Sequence, residues 1–141
     1  ENQMCVALGG RLAEELIFGT ENVTTGASND FQQVSRVARQ MITRFGFSDK
    51  IGQVALSSDG GNPFLGQSMG QSADYSAATA SIVDKEVQDL VERAYARGKD
   101  LLETHMSVLH ATADALLEKE TIDGDEFMNI FEKEGVPLYL N

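Results

Sequence analysis

A polar loop of small residues, Asn22-Val23-Thr24-Thr25-Gly26-Ala27-Ser28-Asn29-Asp30, runs straight into a helical pattern from Phe31 to Phe45. A second helical pattern precedes it and stops at Phe18-Gly19. A loop of this kind drops a carboxylate, Asp30, into the first turn of a helix close against a neighbouring helix, where it can be presented to a bound group. The simpler alternative is that Ser28 or Asp30 caps the helix, worth about 1 kcal/mol. N-terminal turns are rich in Asp, so residue types alone favour the cap. Two more carboxylates, Glu14 and Glu15, stand on the preceding helix. Glu14 has Gly10 and Phe18 one turn away on either side and so lacks a charged partner at that spacing. Glu15 reads as one of a solvated pair. The two histidines, His105 and His110, are five residues apart, which does not place them on one helical face; they read as boundary or surface residues.

The elements that must position these groups are mostly helical. Over residues 1–18, Met4, Leu8, Leu12 and Leu16 recur at spacing four, with Cys5 and Ile17 beside them. Gly9-Gly10 interrupts this pattern at roughly 1 kcal/mol per glycine relative to alanine, and such a pair makes sense where another backbone comes close. Gly19 stops the helix. Over residues 28–45, Phe31, Val34, Val37, Ala38, Met41 and Ile42 form one apolar stripe, and Gly46 ends it. Arg36, Arg39 and Arg44 lie mostly off the stripe, solvated or paired.

Residues 46–74 break the pattern with six glycines, Pro63 and several serines, and hold one short strand candidate at Gln53-Val54-Ala55-Leu56. The glycines form neither GxxxxGK[ST] nor a strand-GxGxxG-helix arrangement, so no nucleotide loop is present. Residues 76–104 are the strongest helix, spanning about 43 Å if unbroken, with Gly98 as a candidate bend. A further helix covers 107–119. The last begins after Asp123-Gly124-Asp125-Glu126, where Asp123 and Glu126 have capping-box spacing. A calcium loop is the sharper reading of these acids, but the 12-residue alternation of oxygen ligands is missing.

Composition bounds the rest. At 141 residues the chain is long enough for one domain with its own core. A net charge of −11 disfavours nucleic-acid binding, which needs a basic face, and direct docking on an anionic membrane. No apolar run reaches the roughly 20 residues that span a bilayer. The lone Cys5 reads as a small buried hydrophobe that has no partner for an internal disulfide. The opening Glu1-Asn2-Gln3-Met4 reads as mid-helix, so the chain is expected to be a piece of a longer protein.

Gly9-Gly10-Arg11-Leu12-Ala13-Glu14-Glu15-Leu16-Ile17-Phe18-Gly19, followed by Val23-Thr24-Thr25-Gly26-Ala27-Ser28-Asn29-Asp30, closely resembles the FtsH family of membrane-anchored, ATP-dependent zinc metalloproteases. The likeness continues through Arg36-Val37-Ala38-Arg39-Gln40-Met41, Phe45-Gly46-Phe47-Ser48, Phe64-Leu65-Gly66 and Leu117-Glu118-Lys119-Glu120-Thr121, to about Phe131. In that family the Asp of the Gly-Ala-Ser-Asn-Asp segment is the third protein ligand of the catalytic zinc. The resemblance therefore implies Asp30 as a metal ligand. The other two are histidines of an HExxH helix, which this chain lacks; that helix is also the neighbour implied for Gly9-Gly10. Glu14 is implied as the carboxylate that orients a zinc-bound histidine from behind.

The expected fold is mostly α, a single helical domain (residues 1–141) with a long Gly-rich irregular segment. The expected function is the C-terminal portion of a zinc metalloendopeptidase domain that degrades damaged or unassembled membrane proteins, inactive by itself for want of HExxH. The resemblance further implies ATP in a separate module, a membrane anchor elsewhere, protein substrates, a homo- or hetero-hexamer and no nucleic acid. Asn62-Pro63-Phe64-Leu65-Gly66-Gln67 and the run from Ser28 to Arg36 look most like the chloroplast and cyanobacterial branch. That implies the stromal side of the thylakoid membrane. The rival reading is a non-catalytic helical assembly or scaffold module of an inactive relative, decided by whether HExxH stands upstream of Glu1.

Overall fold

The structure, a computed structural model, describes residues 2–52, 56 and 76–137. Among these residues there are five α-helices and no strand, in keeping with the mostly α expectation. They are α1 (Asn2–Phe18), α2 (Ser28–Thr43), α3 (Ala77–Thr104), α4 (Met106–Lys119) and α5 (Gly124–Lys133), with two 3-10 turns, Thr20–Asn22 and Thr25–Ala27, between α1 and α2. The strand candidate at Gln53-Val54-Ala55 lies outside the described residues, as does most of the Gly-rich segment. Leu56 donates its N–H to Thr43 O at 2.7 Å. The chain gathers into two compact units, Glu1–Gly98 and Lys99–Asn141.

The core of the first unit follows the helical period of its sequence. Met4, Leu8 and Leu12 are buried on α1, Val34, Ala38 and Ile42 on α2, and Val83, Leu90 and Ala94 on α3. Each set repeats at four or seven residues, which aligns it on one face. Phe31, at the start of the α2 stripe, is 41% exposed. α1 ends at Gly19, whose φ of 82° suits a residue without a Cβ. Beyond α2, Gly46 has φ 66°, and Phe47 N–H reaches back to Met41 O at 3.1 Å.

α3 is helix through Gly98. The glycine has a packing role. A Cβ there would stand 2.7 Å from Cδ1 of the buried Leu12, with the Cys5 backbone beyond. Nearby, the Cys5 thiol donates to Ala94 O at 3.2 Å, so this half-buried cysteine is a donor as well as a small hydrophobe. At Gly9 and Gly10, by contrast, nothing among the described residues lies within 4 Å of where a Cβ would sit.

In the second unit α4 packs against α5, with Val108 buried and Phe127 edge-on to Phe131 at 5.0 Å. His105 is the residue at the N-terminal end of α4, and His110 is exposed on its surface, as expected of boundary and surface positions. α5 opens with the anticipated capping box: Glu126 N–H donates to Asp123 Oδ1 at 2.8 Å and Asp123 N–H to Glu126 Oε2 at 3.1 Å. This is the geometry of a helix cap made by Asp123 and Glu126.

Candidate metal centre

The connection from α1 to α2 is built residue by residue to deliver Asp30. Past Gly19, the first 3-10 turn is closed by Asn22, whose side-chain amide donates to Phe18 O at 2.8 Å. Val23 and Thr24 are extended. Thr24 then makes the decisive contacts. Its N–H donates to Glu14 Oε2 at 2.9 Å, and its hydroxyl lies 3.1 Å from both Glu14 oxygens. The same Thr24 oxygen accepts Gly26 N–H at 3.3 Å, capping the second 3-10 turn. A Cβ at Gly26 would stand 3.3 Å from that oxygen, a tight contact.

The second 3-10 turn continues into α2 without a conventional cap, because Ser28 already has helical angles, φ −60° and ψ −37°. Its hydroxyl donates to Thr25 O, and Ala27, at the N-cap position, has no capping side chain. The expectation that Ser28 or Asp30 caps the helix therefore fails: the 3-10 turn takes over the role of a cap. Asp30 stands in the first turn of α2, half-buried, and nothing among the described residues donates to its carboxylate. A partly desolvated carboxylate with all its acceptor capacity unspent suits a cation.

Glu14 and Glu15 both have specific partners. Glu14, the implied support for a metal-bound histidine, holds the loop through Thr24. Two accepted donors leave a carboxylate with room for more, since its oxygens offer about four lone-pair sites. Glu15 overturns the solvated-pair expectation. It pairs with Arg11 Nε at 2.7 Å, with both side chains at least four-fifths buried, and it accepts the Tyr95 hydroxyl from α3. The Arg11 guanidinium also lies over the Phe31 ring, 5.9 Å from its centroid. The Glu15 hydrogen bond, helped by burial, raises the Tyr95 phenol above its ordinary pKa. The phenol is thus the proton donor in this contact. Arg11 and Glu15 have the i, i+4 spacing that flags such a pair in sequence.

The model of peptidase family M41 matches residues 1–130. This chain belongs to that family. It is 64% identical over all 141 residues to the chloroplastic ATP-dependent zinc metalloprotease FTSH 5 of Arabidopsis thaliana, of which it covers 20%. It is 67% identical over 131 residues to its FTSH 1 counterpart in Oryza sativa subsp. japonica, covering 93% of this chain and 19% of that one. To FtsH 3 of Synechocystis it is 52% identical over 140 residues, 99% of this chain and 23% of the relative. The chain thus spans about a fifth of the length of these relatives.

Among the described residues of this M41 chain, no three His, Cys, Asp or Glu side chains gather as a metal site. The first turn of α2 offers one carboxylate, Asp30, with Glu14 and Glu15 securing the structure on either side of it. No described helix is long and apolar enough to cross a membrane.

Proposed function

We propose that this chain is the C-terminal portion of the peptidase domain of a longer ATP-dependent zinc metalloendopeptidase, and that Asp30 is its carboxylate ligand to the metal. The observation that carries the reading is Asp30 itself: half-buried, without a donor among the described residues, and set in a turn that dispenses with a side-chain cap. The chemistry of the residues fits zinc, which accepts a carboxylate oxygen beside histidine nitrogens. Three protein ligands are the usual complement of a catalytic site. By the resemblance, two histidines of an HExxH helix outside this chain complete it, and the 141-residue chain alone is inactive. Bound zinc supplies an activated water and polarises the peptide carbonyl.

Within this chain, Asp30 holds the metal, Glu14 fixes the loop through Thr24, and its remaining acceptor capacity is available to a metal-bound histidine. The open faces of Gly9 and Gly10 suit close approach of that histidine-bearing helix. The names of the relatives support protein substrates, ATP dependence and a chloroplast location. The finer reading places the protein on the stromal side of the thylakoid membrane. There it is a hexamer held by a separate anchor, and it degrades damaged or unassembled membrane proteins.

The test is Asp30→Asn in the full-length protein. Asn caps a helix as well as Asp does, so a capping role predicts a silent change. A ligand role predicts that zinc content and casein cleavage fall together while ATP hydrolysis and the circular dichroism spectrum persist. Full zinc occupancy with wild-type proteolysis ends the assignment.

A further inference from the structure

The turn that carries Asp30 is gripped from α1 at both ends, and by adjacent residues. On the upstream side Glu14 holds Thr24 by two donors. On the downstream side the contact is indirect. Tyr95 of α3 and Arg11 of α1 converge on the Glu15 carboxylate, and Arg11, fixed there, lies over the ring of Phe31, the residue next to Asp30. Arg11 is 20% exposed and Glu15 13%, so water competes little for this pair. A guanidinium is planar and carries five donors in a rigid fork, so it can satisfy a carboxylate and present a face to a ring at once. Phe31, by contrast, is 41% exposed.

We propose that Arg11, oriented by Glu15 and Tyr95, is a positioning residue that sets the first turn of α2 and with it the direction of the Asp30 carboxylate. The part concerning the metal rests on Asp30 being a ligand; the part concerning the turn does not. Three helices thereby meet in one polar chain, Tyr95–Glu15–Arg11–Phe31. It acts on the Asp30 turn independently of the Glu14–Thr24 contact.

The experiment compares Arg11→Met, Arg11→Lys, Tyr95→Phe and Asp30→Asn in the full-length protein. The readouts are zinc affinity by chelator competition, kcat and KM on casein, and amide exchange across residues 24–31. Arg11→Met is expected to weaken zinc about tenfold, the scale on which metal sites respond to loss of an orienting partner. It should lower kcat with KM unchanged and speed exchange at residues 27–31, leaving ATP hydrolysis intact. Arg11→Lys, which keeps the charge without the fork, recovers part of each. Tyr95→Phe shows a smaller loss in the same direction and remains informative if Arg11→Met folds poorly.

Wild-type zinc affinity and exchange in Arg11→Met and Tyr95→Phe, with zinc lost in Asp30→Asn, overturn the positioning role and leave the ligand standing. If Asp30→Asn is itself silent, the ligand reading falls, and exchange alone decides: faster exchange at residues 27–31 upholds the control of the turn, and unchanged exchange removes it.

Discussion

Replacing Gly98 by alanine sets two effects of similar size against each other. In an exposed helix interior the change is favourable by about 1 kcal/mol, because alanine loses less backbone entropy. In this structure the new methyl would stand 2.7 Å from Cδ1 of Leu12. Carbon atoms in contact prefer about 3.5–4.0 Å, so one side must yield by roughly 1 Å. Leu12 is 0% exposed and cannot swing into solvent. Overpacking of this kind costs typically 1–3 kcal/mol. The net expectation is a loss of about 1 kcal/mol, or some 3–4 °C in Tm for a chain of this size. A double-mutant cycle isolates the cause. Leu12→Ala alone should cost about 2–5 kcal/mol. Adding Gly98→Ala in that background should restore about 1 kcal/mol, since the clash is gone and only the helix gain remains. The sign reversal corresponds to a coupling of about 2 kcal/mol, well above the few tenths expected of independent sites. Urea denaturation of the four proteins measures it. A Gly98→Ala variant that is stabilised in the presence of Leu12, or a coupling near zero, refutes the close approach of α1 and α3.

Leu90, 2% exposed on α3, should lose about 2–5 kcal/mol on substitution by alanine, read as a lowered thermal midpoint. Asp123→Ala removes the α5 capping box and should cost about 1 kcal/mol, whereas Asp123→Asn should be close to neutral, both measured by urea denaturation. Glu86 has its pKa lowered chiefly by the hydrogen bond from Lys50 and next by that from Ser48. A depressed carboxylate contributes stability above its unfolded pKa, and that stability is lost as pH falls through its folded value. Lys50→Met should therefore lower stability most near neutrality, and its difference from wild type should shrink as pH falls through the folded Glu86 value; urea denaturation across acid pH measures it, and a loss that stays constant into acid would contradict this.

The sequence by itself determined the helices and most of their buried faces. Met4, Leu8 and Leu12, or Val34, Ala38 and Ile42, repeat with the period of the helix, and burial follows from that local geometry. Gly19, Gly46 and the Asp123–Glu126 pair were legible for the same reason, since stops and caps depend on residues within a turn of one another. Asp30 was legible as a candidate, being placed by a short loop of distinctive residues. Tertiary structure alone decided the partners. Local spacing flags Arg11 as a partner for Glu15, but only α3 brings Tyr95 to it, across 80 positions of sequence. Gly98 shows no packing role in sequence until Leu12 is seen occupying the space of its missing side chain. Ser28 reads as a cap until the preceding 3-10 turn gives it helical angles and directs its hydroxyl to Thr25. For Tyr95 and Gly98 the local pattern was ambiguous, and contacts between helices, which sequence spacing does not encode, selected the outcome.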